Sequence, residues 1–295
     1  MYKIIRKRKY WFILSSLLVI LSIASIFIFG LRIGIDYKGG AMIVLESEKS
    51  DVIELIEESL DEQKVNNYQL KPSSDAQYTL RLEPIEKEKH DQILLSIKEK
   101  VGDIEEVRYD NIGPTVGKDL TNKSILSIIL ASIAIILFIA FSFRKVPKPL
   151  SSWKFGSLAV LALLHDLLIT AGIIALLGHF FIWMEIDSLF ITALLTIMGF
   201  SVHDTIVVYD RLRENFIKNP QKSIEESAEE SVNSTLVRSI NTSLTTIIVL
   251  LALFLIGGES IKHFVLTLLV GILIGTYSSI FLASPLLVSW HKNSK

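Results

Sequence analysis

Long apolar blocks dominate the pattern of this chain, and the charged residues are concentrated between them. Six such blocks are visible, at residues 11–31, 124–143, 156–177, 186–208, 241–256 and 264–289. Runs of about 20 apolar residues match the hydrocarbon thickness of a bilayer, whereas a soluble domain spaces its apolar residues periodically. The pattern therefore predicts a polytopic α-helical membrane protein with six transmembrane helices.

The composition excludes several other classes of protein. Half of the 295 residues are apolar, 21% are charged, the net charge is −1 and there is no cysteine. The blocks do not alternate apolar and polar residues, as the strands of an outer-membrane barrel do, so that class is excluded. Nucleic-acid binding is not expected, because the chain has no surplus of basic residues. Disulfides and thiol chemistry are excluded. We also expect no enzyme activity, cofactor or metal site, because neither a nucleophile–base pair nor an H-E-x-x-H spacing occurs.

The basic residues predict the orientation, since cytoplasmic loops are enriched in Lys and Arg. Four basic segments fall on one side of a six-span arrangement, and the short loops on the other side carry one basic residue between them. Both termini are therefore predicted to be cytoplasmic. The first block is predicted to be a retained anchor, because it is longer than a signal-peptide core and no A-x-A-like site follows it. The basic segments are 1–10, 144–154, 211–238 and 290–295, and the short loops are 178–185 and 257–262.

Residues 32–123 form the one long segment between blocks and are predicted to be an extracytoplasmic α+β domain. Period-2 runs predict strands and spacings of three and four predict helices. The resulting order, β-α-β-β-α-β, is that of the ferredoxin-like split βαβ unit. We expect its one histidine, His90, to be a solvated helix residue. The predicted strands are 41–46, 68–71, 77–83 and 103–111, and the helices begin at Ser50-Asp51 and span 85–101.

Two glycine clusters border this domain. Gly39 and Gly40 precede its first strand, and Gly113, Pro114 and Gly117 follow its last. Glycine and proline are typical of turns where a chain leaves the bilayer. The same residues are also compatible with a hinge between the domain and the membrane, and the spacing alone leaves both interpretations open.

Ionisable residues occur inside the predicted spans, where each costs about 2.5–3.5 kcal/mol at a helix centre. His203 and Asp204 lie in the fourth span, and His165 and Asp166 lie about ten residues into the third. The fifth block is short for a span, so its helix is predicted to begin near Leu236, which brings Arg238 to the edge of the bilayer. The predicted fifth span is therefore 236–256.

Two interpretations of these residues remain open. Arg238, Thr242 and Thr245 form a polar stripe on one helix face, and a salt bridge between Arg238 and Asp204 is geometrically feasible. The residues either fix helix register as buried pairs or form a proton path, because burial and pairing with arginine displace a carboxyl's protonation in opposite directions. Intramembrane ionisable residues commonly carry function.

The last block contains small residues at every fourth position, namely Gly271, Gly275, Ser279 and Ala283. Small residues at this spacing let helices approach closely. The pattern predicts a packing seam, either within the bundle or with a partner subunit.

These residues together resemble the SecD/SecF family of protein-export membrane proteins, and their form favours its SecF branch. The resemblance runs in order along nearly the whole chain. It rests on the fourth-span run GFSVHDTIVVYDRLREN at 199–215, the fifth-span entry RSINTSLTT at 238–246, and GTYSSIF at 275–281. DYKGG at 36–40, GPTVG at 113–117 and His165-Asp166 also match. Members commonly have Asn where this chain has His203, and an imidazole titrates near neutrality.

The resemblance implies a role in protein export across the bacterial cytoplasmic (inner) membrane. It implies a SecD heterodimer partner, which completes a twelve-span bundle similar to that of the RND transporters. Further implied partners are the SecYEG translocon with SecA, YajC, YidC and emerging secreted polypeptides, with no nucleic acid. Protons are the implied coupling ion, with Asp204 matching the proton-linked aspartate and Arg238 its arginine partner.

Two other functions remain as alternatives. An RND-type small-molecule exporter normally has twelve spans and two large exported domains, and this chain has half of each. A purely structural scaffold would use the polar residues only for packing. The proton path predicts function for Asp204, Arg238, His203, His165 and Asp166, which the scaffold does not.

Overall fold

The computed structural model describes residues 2–49, 52–72, 76–144, 151–181 and 183–293. The predicted helix start at Ser50-Asp51 lies outside the described residues, as do 145–150 of the second basic segment and 294–295 of the fourth. The chain forms two compact units. The membrane unit comprises Met1–Leu31, Leu126–Met184 and Leu189–Lys295, and the α/β unit comprises Arg32–Ile125 with Glu185–Ser188.

The helices and strands follow one another along the chain in a simple order. The helices are α1 (Arg8–Phe29), α2 (Ile35–Lys38), α3 (Val52–Glu62), α4 (Lys87–Val101), α5 (Pro114–Ser142), α6 (Ser152–Phe180), α7 (Ser188–Lys218), α8 (Ile224–Ile256), α9 (Glu259–Ser278) and α10 (Ser284–Asn293). A π-helical segment, Ser279–Ala283, joins α9 to α10. The strands are β1 (Gly40–Glu46), β2 (Gln69–Pro72), β3 (Gln77–Leu82) and β4 (Glu105–Ile112).

Within the described residues, six helical segments are long and apolar enough to cross a membrane, as the block pattern predicted. They are α1, α5, α6, α7, α8 and the continuous stretch Ile261–His291. In α1, α5 and α8 few of these residues are buried inside the chain, whereas about half or more are buried in the other three. The chain is therefore a multi-pass membrane protein whose inner helices are α6, α7 and the last segment.

The fifth membrane helix begins twelve residues before the predicted start near Leu236, so that prediction was wrong. Ser223 and Glu226 form a reciprocal capping box, in which each side chain accepts a hydrogen bond from the other residue's backbone amide. This arrangement satisfies two of the free amides at a helix start. The sequence signal, S-x-x-E, was present at 223–226 but lies outside the apolar block.

The N-terminal segment packs against the start of α8. The Glu229 carboxylate accepts hydrogen bonds from the backbone amides of Ile5 and Arg6, at 3.1 and 3.2 Å. Asn233 bonds both the amide and the carbonyl of Tyr2. The basic tail is therefore an ordered part of the membrane unit, which the charge pattern alone did not indicate.

The last predicted span is continuous but not uniformly α-helical. Its central turn, Ser279–Ala283, is π-helical, and π-turns leave a carbonyl outside the regular hydrogen-bond ladder. The hydroxyl of the buried Tyr209 on α7 donates to the Ala283 carbonyl at 3.1 Å. This bond fixes α7 against the irregular turn.

The α/β unit has the topology predicted for a split βαβ unit. Its four antiparallel strands have the order β2-β3-β1-β4, so β1 lies between β3 and β4. Alternate residues of β1 and β3 point to one face, where α3 and α4 cover them. The buried core is Ala41, Ile43, Leu45, Tyr78, Leu80 and Leu82 from the strands, with Val52, Ile56, Leu60, Ile93, Ile97, Val101 and Ile104.

The prediction that His90 is solvated was wrong, because its side chain is buried. Nε2 lies 2.7 Å from Glu106 and Nδ1 lies 3.0 Å from Asp91. The ring also stacks on Tyr109, with centroids 3.9 Å apart. Glu106 and Tyr109 lie on β4, so the contacts that bury His90 become visible only when α4 packs on the sheet.

The packing predicts how two leucine truncations differ. Leu80→Ala opens a cavity in the core and is expected to lower the free energy of unfolding of the α/β unit by about 2–5 kcal/mol. Leu95→Ala, on the exposed face of α4, should change it by at most about 0.5 kcal/mol. Hydrogen exchange of β1 and β3 amides in the detergent-solubilised chain measures both, and equal effects would contradict this core.

Candidate functional site

Asp166 is the most enclosed carboxyl among the described residues of the membrane unit, with no exposed surface. Its Oδ2 accepts hydrogen bonds from the hydroxyls of Ser201 and Ser278, each at 2.6 Å. Its Oδ1 lies 3.0 Å from Nδ1 of His165. An ionised carboxylate only accepts hydrogen bonds, and these lengths are typical of hydroxyls donating to one. The site is therefore built around a buried acidic group.

The three partners come from three helices, α6, α7 and α9. The Asp166 carboxyl therefore links the inner helices of the membrane unit through hydrogen bonds rather than apolar contact alone. A protonated Asp166 would itself donate one bond, and one of the three partners would then have to accept it. Ser278 has a second acceptor for this purpose, since its hydroxyl also lies 3.2 Å from the Gly275 carbonyl.

Asp204 is the second carboxyl of the site and is 7% exposed. Its Oδ2 accepts a hydrogen bond from Ser243 of α8 at 3.4 Å. Ser243 in turn accepts one from Thr276 of α9 at 2.6 Å. Asp204 borders an open cavity of about 380 Å³, whose other polar lining residues are Thr196, Ser201, His203, Thr242, Ser243 and Thr276.

Ser201 is shared by the Asp166 site and the cavity beside Asp204. It lies three residues before Asp204 on α7, so both side chains are on neighbouring positions of one face. Its hydroxyl bonds Asp166, and the residue also lines the cavity that borders Asp204. The sequence placed His165 and Asp166 together on the third span and Asp204 on the fourth, and the structure brings these two helices together at Ser201.

Arg238 does not form the salt bridge with Asp204 that the sequence made feasible. Within the described ranges, no ion pair joins the two, and Arg238 is exposed. Asp204 instead meets Ser243, which lies five residues, or about 7.5 Å, further along α8. Thr242 and Thr245 are also exposed, and Thr242 lines the Asp204 cavity whereas Arg238 does not. His203 is exposed as well and borders the Asp204 cavity.

The small residues of α9 pack against α7, so this seam lies within the chain. A methyl group on Gly271 would lie 2.1 Å from a side-chain carbon of Ile197. One on Gly275 would lie 3.1 Å from Cβ of Ser201. Ser279 is fully buried at the start of the π-helical segment and donates to the Thr276 carbonyl. The glycines therefore let α9 approach the helix that carries Ser201 and Asp204.

The two glycine clusters of the α/β unit meet each other. A methyl group on Gly117 would lie 2.8 Å from the Tyr37 carbonyl, and one on Gly39 would lie 3.1 Å from Pro114. Gly39 also has φ +76°, a conformation that side chains disfavour. Gly40 has positive φ too, whereas a methyl group on Gly113 would meet no atom within 4 Å. Close backbone approach, which neither sequence interpretation included, explains Gly39 and Gly117.

The residues before these glycines hold the loop that leads into α7. The Ser188 amide donates to the Asp36 carboxylate at 2.9 Å, and the Ser188 hydroxyl also bonds it. Tyr37 donates to the Asp187 carbonyl at 3.2 Å. Burial raises the pKa of Tyr37 above its ordinary value, which keeps this donor protonated. We call Asp36, Tyr37 and Glu185–Ser188 the latch.

Backbone and ionic contacts extend the latch. The Gly34 amide donates to the Ile186 carbonyl at 2.9 Å, and the Ile186 amide donates to the Arg32 carbonyl at 2.8 Å. Glu185, with a side chain 12% exposed, pairs with Arg81 and lies 3.8 Å from Arg32. Sequence analysis missed the latch because its two parts are 152 residues apart. Carboxylates are favourable at helix starts, and this preference was the only signal for the latch in the sequence.

No group of three or more metal-ligating side chains occurs in the part of the chain that the structure describes. The donors around Asp166 suit its ionised form, and Ser278 can turn to accommodate its protonated form.

Comparison with protein families matches most of the chain. Residues 93–293 match the family described as protein export membrane protein SecD/SecF, C-terminal. Residues 24–51 match the SecD/SecF GG motif, which includes Asp36, Tyr37, Gly39 and Gly40. The two matched segments contain both the carboxyl site and the latch.

Curated relatives match over nearly their full lengths. A protein translocase subunit SecF from Thermobaculum terrenum is 46% identical, covering 98% of this chain and 94% of the relative. One from Synechocystis is 37% identical, covering 95% and 91%, and one from Helicobacter pylori is 33% identical, covering 94% and 84%.

Two solved structures also resemble this chain. The crystal structure of SecDF, a translocon-associated membrane protein from Thermus thermophilus, matches with a TM-score of 0.85 at 30% identity. A structure of SecDF in a super-membrane-facing form matches with a TM-score of 0.70 at 30% identity. In both comparisons 99% of this chain is covered, and it spans 39% of the longer chain.

The seam between α7 and α9 yields a paired test. Gly271→Ala places a methyl group against Ile197, and overpacking of this kind costs about 1–3 kcal/mol. Gly199→Ala lies on α7 with no atom within 4 Å of the added carbon, and the better helix propensity of alanine should stabilise it by up to about 1 kcal/mol. Thermal unfolding in detergent should therefore shift down for Gly271→Ala and not for Gly199→Ala. Equal midpoints would contradict the close approach.

Proposed function

Because this chain belongs to the SecD/SecF family of protein-export membrane proteins, we propose that it pairs with a SecD-type subunit and uses the proton-motive force to assist late steps of protein translocation. The observation that carries this proposal is the presence of two buried carboxyls, Asp166 and Asp204, with Ser201 bonded to the first and lining the cavity beside the second. Buried acids inside a membrane are costly and are retained mainly where they move charge. A scaffold role would need only one polar anchor between the helices.

The proposed setting is the bacterial cytoplasmic membrane, with both termini in the cytoplasm and the α/β unit outside. The distribution of Lys and Arg supports this orientation. The cavity beside Asp204 and the enclosed site at Asp166 then give the bundle one carboxyl near open space and one without any exposure. Such a pair can pass a proton between different environments.

The driving force is large enough for a conformational change. A potential of 100 mV supplies about 2.3 kcal/mol per charge moved, which shifts a two-state equilibrium roughly 40-fold. In the proposed cycle a proton reaches Asp204 and is relayed through Ser201 to Asp166. Protonation of Asp166 then turns Ser278 towards the Gly275 carbonyl and changes how α9 packs on α7.

Movement of α7 has a direct route to the α/β unit. The first residue of α7, Ser188, is held by the Asp36 carboxylate, and the preceding loop is held by Tyr37. We propose that the latch stays closed throughout the cycle and acts as a rigid connection. The α/β unit would then alternately bind and release an emerging polypeptide.

The outer face of α8 supports a companion subunit. Arg238, Thr242 and Thr245 are exposed on a membrane helix, and polar side chains at such positions are unfavourable in lipid. A SecD-type subunit would cover this face, and SecYEG, SecA, YajC and YidC are the wider proposed partners. Arg238 would then act from the subunit boundary, and His203 would contribute an imidazole at the edge of the Asp204 cavity.

Asp204→Asn tests the proton-coupled role. The amide cannot exchange a proton, so stimulation of secretion by the proton gradient should fall to the level seen when the gradient is collapsed. Secretion into vesicles with and without an uncoupler measures it. Asp119→Asn, which removes an exposed carboxyl of α5, should retain the full stimulation.

The comparison requires that the Asp204→Asn protein still assembles with the SecD-type subunit. Co-purification of the SecD-type subunit with Asp204→Asn checks it, and Asp204→Glu should recover part of the stimulation. Full gradient-dependent secretion by Asp204→Asn would refute the proposed coupling.

The latch provides a second test. Asp36→Ala removes the carboxylate that caps α7, at a cost of about 1 kcal/mol, whereas Asp36→Asn can still accept a hydrogen bond from the Ser188 amide. Gradient-dependent secretion should therefore fall more in Asp36→Ala than in Asp36→Asn. The chain has no cysteine, so a disulfide between Asp36→Cys and Ser188→Cys can be formed selectively. The cross-linked protein should remain active, and its inactivity would show that the latch must open.

A further inference from the structure

A second cavity, of about 520 Å³, lies in the membrane unit between the end of α5 and the facing parts of α7 and α8. It is separate from the cavity beside Asp204 and shares no lining residue with it. Its lining combines apolar and charged side chains. The apolar lining includes Phe143, Ile206 and Val207, and the charged lining includes Arg211, Arg213 and Arg238.

The charges around this cavity leave one positive charge in excess. Arg211 pairs with Glu214 at 2.6 Å, and Arg213 pairs with Asp210 at 2.9 Å. Both carboxylates also line the cavity. Arg238 forms no ion pair within 4 Å among the residues that the structure describes, and its charge acts only at longer range on Asp204 of the neighbouring cavity. A monovalent anion would therefore complete the charge balance of the lining.

Each arginine retains donors for such an anion. A guanidinium has five N–H groups in a planar fork, and the bonds to Glu214, Asp210 and Ser234 use only some of them. Arginine forks match the geometry of phosphate oxygens. The cavity thus offers several converging donors to a phosphate group.

The polar and apolar parts of the lining lie at different depths. Ile206 and Val207 are about one helical turn closer to the membrane centre than Asp210 and Arg211. Phe143 closes the apolar part, and the Arg213 guanidinium lies 5.8 Å from its ring centroid. Counting spans places this end of α7 on the same side as the chain termini. The arginines therefore lie where α7 leaves the apolar layer.

We propose that this cavity binds an anionic phospholipid, with its phosphodiester at the three arginines and its acyl chains along Phe143, Ile206 and Val207. Basic pockets between membrane helices at this depth suit anionic head groups. A soluble phosphate would share the guanidinium contacts but would leave the apolar lining unused. The one negative charge of a phosphodiester equals the excess on the lining.

The test compares two phospholipids that have the same acyl chains, one with an anionic and one with a zwitterionic head group. The whole chain, purified in neutral detergent, is titrated with phosphatidylglycerol or with phosphatidylcholine of the same acyl composition, and bound lipid is counted by native mass spectrometry. Phosphatidylglycerol should bind at least about tenfold more tightly, a difference of 1.4 kcal/mol. Glycerol phosphate and inorganic phosphate should bind at least tenfold more weakly than phosphatidylglycerol.

Matched variants locate the site. Arg211→Gln with Arg213→Gln should remove the preference for phosphatidylglycerol. Lys7→Gln with Lys9→Gln removes the same charge from exposed positions outside the cavity and should keep the preference. Equal loss in both pairs would indicate general attraction and refute the site, as would tight binding of inorganic phosphate.

The lipid comparison on the unsubstituted protein decides the proposal even if the arginine pair does not fold. Absence of any preference between the two lipids would overturn it. No gradient is applied, so the outcome is independent of whether Asp204 couples to protons.

Discussion

The membrane unit depends on one buried carboxyl and the donors that enclose it. An ionised group without exposed surface is unfavourable unless it is hydrogen-bonded, and a hydrogen bond to a charged group contributes about 1.5–3 kcal/mol. Asp166 receives such bonds from Ser201 and Ser278 and lies beside His165. Because these partners belong to different helices, the protonation of Asp166 and the packing of α6, α7 and α9 are linked.

The same constraint explains the small residues around the site. Hydroxyls reach Asp166 from α7 and α9 only if these helices approach closely, and Gly271 and Gly275 permit that approach. The latch then ties the start of α7 to Asp36. The first residue of α7 is thereby held by a carboxylate of the α/β unit.

Periodicity predicted the parts of the fold that local sequence determines. The order of strands and helices in the α/β unit and the six membrane helices followed from spacing and block length. The burial of His90 did not, because it arises from Glu106 on a strand that α4 meets only after folding. The early start of α8 is encoded locally by Ser223 and Glu226. It was not predicted, because these residues lie outside the apolar block from which the span was identified.

The candidate site was predictable as a set of residues but not as a geometry. Ionisable groups inside apolar blocks singled out Asp204, Asp166 and Arg238. Which groups meet depends on the rotation of each helix about its own axis. A shift of one residue along a helix changes the direction of the side chain by about 100°. Ser243 rather than Arg238 faces Asp204 for this reason, and no spacing rule identified Ser278 as a partner of Asp166.

Difference infrared spectroscopy of the reconstituted protein during a pH change reports directly on buried carboxyls. Carboxyl bands should appear when the wild-type protein is acidified. Part of these bands should be missing in Asp204→Asn and another part in Asp166→Asn, and the bands should shift in Ser201→Ala. Spectra that are the same in all four proteins would mean that neither buried acid exchanges protons, and would contradict the central claim.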